Sequence, residues 1–192
     1  MIVLSTAMWD VTRASAFVAF ACYTVSVAWG ISLTARSFRP PVAPQFDYHR
    51  FVAMLGFGAL LVHVGTLLFD DFAAVDPVTL VGGGGASAAV RAGVIALWLA
   101  IALPVSFALK QRWKLISQRA WRRFHYSGYA VWLLALVHGV VEGTDSGSYY
   151  AVAAYGSSAA LVAGVGWWRW LEAPPKRRPR PVADRPSGSM GD

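Results

Sequence analysis

Charge is scarce in this sequence. Only 14% of its 192 residues are Asp, Glu, Lys or Arg, and 56% are hydrophobic, whereas ordinary soluble domains carry about 25% charged residues. So little charge excludes a typical water-soluble domain. Cysteine is nearly absent: Cys22 stands alone in an apolar run, which rules out an intrachain disulfide or a cysteine metal site and leaves it as a small packing residue. Lysine occurs three times, and Ala, Val, Gly and Arg dominate instead, a composition associated with bacteria. Acidic residues number ten, giving a net charge of +7. That excess is not a nucleic-acid footprint, because the basic residues gather at the ends of apolar runs, as topology signals do. No nucleic-acid partner is expected.

What the sequence does have is apolar runs near 20 residues long, the length that crosses a hydrocarbon core of about 30 Å. Five spans are predicted, at about Ala14–Thr34, His49–Phe69, Ala88–Leu109, Phe124–Val141 and Tyr149–Leu171. All should be helices, because lipid offers no partner for backbone polar groups. The expected fold is therefore an all-α, polytopic membrane helix bundle over residues 1–171, in contact with membrane lipid. Residues 172–192 form a basic, Pro-rich tail unlikely in composition to fold. Pro104 should kink the third span. The first span is longer than a signal-peptide core and has no basic segment before it. Gly82 to Gly85 form a flexible linker rather than a phosphate loop, since no Lys-Ser/Thr follows.

Arg36, Arg39 and Arg50, six basic residues between Lys110 and Arg123, and Lys176 to Arg180 fall on one side of the predicted topology. Asp70, Asp71, Asp76, Glu142 and Asp145 fall on the other, with Arg91. The positive-inside rule puts the N-terminus outside and the C-terminus in the cytoplasm of a bacterial inner membrane. Trp113, Trp121, Trp167, Trp168 and Trp170 sit near the cytoplasmic ends, as an aromatic belt would.

Only four histidines occur, as two pairs: His49 with His63, and His125 with His138. At 1.5 Å per residue each pair spans roughly 20 Å of helix. Both helices run from cytoplasm to exterior, so His49 pairs in depth with His125, and His63 with His138. A lone membrane histidine often makes an interhelical hydrogen bond; an interfacial one is easily solvated. Four histidines matched in depth on two parallel helices point instead to metal coordination at two levels. Two nitrogens per level are too few for structural zinc, but they suit haem, whose porphyrin supplies four and leaves two axial positions. One feature fits poorly. At 100° per residue His49 and His63 share a stripe, but His125 and His138 differ by about 140°, which requires tilt, irregularity or haems on different sides of the helix.

The stretch Trp121-Arg-Arg-Phe-His125-Tyr-Ser-Gly-Tyr129, followed by Leu136-Val-His138-Gly and Gly143-Thr-Asp145, resembles the ferric reductase-like transmembrane domain family. His49-Arg-Phe through Leu61-Val-His63 resembles that family's other haem helix. The resemblance covers about residues 46–145. It implies two b-type haems (heme b), each with bis-histidine ligation: His49 and His125 on the inner one, His63 and His138 on the outer one. Arg50, Arg122 and Arg123 would pair with the inner propionates, or serve only as topology charges.

The resemblance further implies an oxidoreductase membrane subunit that moves electrons outward. Larger members continue into a flavin and nicotinamide domain, whereas 21 residues follow Leu171 here. No FAD or NADPH site is thus expected in this sequence. Electrons would come from a partner flavoprotein or quinol and pass to a ferric chelate or a periplasmic reductase partner. Direct quinol oxidation by a cytochrome b subunit is the second reading, and a non-redox membrane protein with histidine proton relays is the third. Quinol-dependent haem reduction would mark the second, and colourless purified protein the third.

Overall fold

A computed structural model describes residues 2–35, 42–69, 75–81 and 85–172. Arg36, Arg39, Asp70, Asp71, most of the glycine run and the Pro-rich tail beyond Glu172 lie outside the described residues. The fold is all-helical: α1 (Ile2–Ser32), α2 (Val42–Leu68), α3 (Ala88–Gln111), α4 (Gln118–His125), α5 (Ser127–Glu142) and α6 (Tyr149–Leu171), with a short 3-10 turn at Pro77–Val81. No strand occurs among the described residues. Four segments are long and apolar enough to cross a membrane, namely Ala7–Ser32, Pro44–Leu68, Ala88–Gln111 and Gln118–Glu142, the make-up of a multi-pass membrane protein. The fifth expected span coincides with the 23-residue helix α6, which is not among these four.

The helix starts follow local chemistry. Ser87, Ser117 and Ser148 each accept a hydrogen bond from the backbone N–H three residues on, closing the orphan donors of α3, α4 and α6. α1 begins well before the expected Ala14. Asp10 and Arg13 interrupt the apolar run, but they pair with each other across one helical turn at 2.7 Å, so the helix continues through them. α2 likewise starts seven residues before His49, taking in Asp47 and Tyr48. α3 stays helical through Pro104.

The main correction concerns the fourth span, expected as one helix from Phe124. It begins at Gln118 and is interrupted at Tyr126, immediately after His125. Tyr126 has ψ −15°, and the N–H of Tyr129 bonds its carbonyl in a three-residue step. This break removes the assumption behind the 140° mismatch: His125 and His138 sit on different helices, so their directions are not tied by a uniform 100° step.

Packing is organised in pairs. α2 lies along α1 and α5 along α3, with α1 also touching α5 and α6. α2 and α5, the helices that carry His63 and His138, have at most marginal backbone contact with each other. The interior is built of small residues such as Ala19, Ala28, Ala92, Ala96 and Ala100, and among the described residues no large side chain is fully buried. Small residues let membrane helices approach closely, as at Gly56, where a Cβ would come 2.8 Å from Cys22 Cβ.

At one end of the bundle Arg13 fastens α1 to the α5–α6 loop. Its Nη1 reaches both carboxylate oxygens of Asp145, at 2.7 and 2.9 Å, while Nη2 holds Asp10. Glu142 accepts a hydrogen bond from Ser87. Both acidic residues of this loop are therefore held within the fold. Hydrogen bonds to charged groups contribute about 1.5–3 kcal/mol. Asp145→Asn should lower stability by at most about that much, Arg13→Met by more because it also frees Asp10, and the double variant should lose little more than Arg13→Met alone. Thermal unfolding of the four proteins in detergent measures it; additive losses would show that the pair is not coupled.

Candidate functional site

The alternating helix directions bring the histidines together as topology requires. His49 and His125 meet near the end of the bundle that holds Trp29, Gln45 and Trp121, with ring centroids 6.0 Å apart and planes at 72°. His63 and His138 lie near the opposite end and within electrostatic reach of each other. The His49–His125 ring contact joins α2 to the end of α4.

Each ring's surroundings say which nitrogen is available. His63 Nδ1 lies 3.0 Å from the carbonyl oxygen of Thr12 on α1, and His138 Nδ1 lies 3.0 Å from that of Ala89 on α3. A carbonyl only accepts, so Nδ1 carries the proton and donates, and Nε2 keeps its lone pair. A metal-ligating histidine has this arrangement: one ring nitrogen orients, the other coordinates. His49 Nδ1 lies 3.2 Å from Ser26 Oγ on α1. His125, by contrast, stacks on Trp121 with centroids 4.9 Å apart. The threonine at the α1 site is itself tied to α2, as Thr12 Oγ1 donates to Thr66 Oγ1 at 2.7 Å.

Glycine admits one of these contacts. A Cβ at Gly93 would fall 2.8 Å from His138 Nδ1 and 2.9 Å from Cγ, so α3 can lie against this imidazole only because residue 93 has no side chain. Gly30 faces His49 more loosely, with its Cβ position 3.5 Å from Cε1.

The geometry suits a flat, axially ligated group better than a bare ion. Among the described residues no three His, Cys, Asp or Glu side chains converge as a bare metal ion would need. With a metal–nitrogen bond of about 2.0 Å and about 1.1 Å more to the ring centre, two imidazoles on opposite sides of one ion hold their centroids roughly 6 Å apart. The 6.0 Å between the His49 and His125 centroids is compatible with that spacing, as it is with an ordinary edge-to-face ring contact. Next to His125, the indole N–H of Trp121 and the hydroxyl of Ser127 are buried without a hydrogen-bond partner, and buried donors are normally satisfied. A carboxylate-bearing group would satisfy them. These residues fit haem.

Arg50, Arg122 and Arg123, expected at the inner propionates, are all exposed at the His49–His125 end, and none forms an ion pair with a described residue. They lie in the right region without a contact that assigns them a role. The acceptors on Thr12 and Ala89 were not foreseeable, because backbone carbonyls have no residue-type signature. Gly93 and Trp121 were visible as an isolated glycine in an apolar helix and an aromatic one turn before a histidine.

No family model matches this chain, and neither a curated protein nor a solved structure is significantly similar to it.

Proposed function

We propose that this protein is a membrane electron-transfer subunit that holds two b-type haems, one between His49 and His125 and one between His63 and His138. The observation that carries the reading is the pair of carbonyl-anchored imidazoles, His63 and His138, whose Nδ1 protons are committed to α1 and α3 and whose Nε2 lone pairs are left for coordination. When bound, haem iron supplies a one-electron couple that cycles between the ferric and ferrous states. The chain's own contribution is positioning and electrostatics. His49 with His125 and His63 with His138 would hold the two groups between them, and haem so held would supply one-electron transfer rather than binding of small molecules.

The basic end carrying Arg50, Arg122 and Arg123 faces the cytoplasm of a bacterial inner membrane in this reading, following the positive-inside bias. A flavoprotein or quinol donates there, and a ferric chelate or periplasmic redox partner accepts at the Asp145 end. In this reading the chain is the membrane part of an oxidoreductase that takes its electrons from that donor.

The decisive experiment is an absorption spectrum of protein purified from haem-replete cells, with haem and protein quantified together. Two haems per chain and low-spin b-type bands are expected. In vesicles enclosing a reductant, external ferric chelate should be reduced only when the protein is present. Colourless protein from such cells would reject the proposal.

A further inference from the structure

His125 differs from the other three histidines. They are anchored through Nδ1 by Ser26, Thr12 or Ala89, whereas His125 makes no hydrogen bond to a described residue. It is the last residue of α4, directly before the Tyr126 break, and is exposed. Apart from His49, its ring neighbour is the indole of Trp121, one helical turn earlier, with planes only 25° apart. Lys110 of α3 covers that indole, its Nζ 3.9 Å from the ring centre, and Phe107 flanks it at 6.1 Å. Among the described residues the indole N–H has no partner, so within this chain it is packing against α3 that orients Trp121.

We propose that Trp121, clamped by Lys110, is the positioning residue of the His49–His125 centre, doing by stacking what hydrogen bonds do for the other three imidazoles. The proposal rests on the reading of these histidines as haem ligands. It has an electronic consequence as well as a geometric one. An Nδ1–H donated to a carbonyl makes an imidazole more basic and a stronger donor to the metal. His125 lacks that bond, and the Lys110 charge lies within electrostatic reach of it. Both effects favour the more electron-rich, reduced state of this centre.

The test is a redox titration of the purified full-length protein, followed by absorption and by electron paramagnetic resonance of the two low-spin centres, with His125→Ala identifying which signals belong to the inner one. Trp121→Leu should alter the low-spin signal of that centre and weaken its haem retention by about 10-fold, and Trp121→Phe should restore both. Lys110→Met should lower the midpoint potential of the same centre, with Lys110→Arg restoring it, while the other centre stays unchanged. If Trp121→Leu does not accumulate, Lys110→Met decides alone, and an unmoved potential overturns the proposal. Two-haem variants with wild-type signals and potentials overturn it too, while leaving the ligand assignment intact. Wild-type protein without haem removes both.

Discussion

Ala at His63 or His138 should leave about one haem per chain instead of two, with the surviving spectrum the same in either variant. Ala at His49 or His125 should leave the other haem. The reasoning is pairwise: in the proposed reading both rings of a pair would hold one haem, so removing either should leave that haem poorly held. Combining His63→Ala with His138→Ala should therefore add little to either alone, whereas His63→Ala with His125→Ala should empty both sites. Haem-to-protein ratios of the single and double variants read this directly. Equal losses irrespective of pairing would contradict the partner assignment, and unchanged content in all four single variants would contradict ligation itself.

Gly93→Ala should selectively disable the outer site, though it replaces the poorer helix former with the best one. Helix propensity alone favours the change by about 0.8–1.0 kcal/mol. Against this, a Cβ would lie 2.8 to 3.0 Å from three atoms of the His138 ring, and overpacking of this kind costs about 1–3 kcal/mol. The ring cannot simply withdraw, because its Nδ1 is bonded to Ala89 O on the same helix; withdrawal breaks the bond that orients it. Loss of such an outer-shell partner lowers affinity for the metal group by about 10- to 100-fold. Gly30→Ala is the matched control: its Cβ would meet His49 Cε1 at 3.5 Å, an ordinary contact, so inner-site haem should be retained. Titrating haem into both apoproteins separates the outcomes, and equal haem affinity in the two would remove the steric argument.

Much of this arrangement was legible in the residues. α3 and α6 begin at Ala88 and Tyr149, where the apolar runs were expected to start, each capped by the serine before it. The depth pairing of the histidines followed from helix direction and spacing. The early start of α1 was hidden because Asp10 and Arg13 look like a boundary until their mutual bond is seen. The break after His125 has a local signal that the apolar run masks: the turn-favouring dipeptide Ser127-Gly128 directly follows Tyr126. Glu142 and Asp145 served in the sequence only as outer-side acidic residues, yet Ser87 and Arg13 hold them from distant parts of the chain. Such long-range partners leave no local pattern.

The pairing of α1 with α2 and of α3 with α5 bears on how the protein is made. Each pair can settle in lipid as its own hairpin, since membrane helices form first and associate afterwards, but little beyond α1 joins the two hairpins. Haem seated in the seam would rivet them, tying each imidazole on one hairpin to its counterpart on the other. In the proposed reading cofactor insertion would be the closing step of assembly, and newly made chains in haem-starved cells should be open to proteases along the α2–α5 seam.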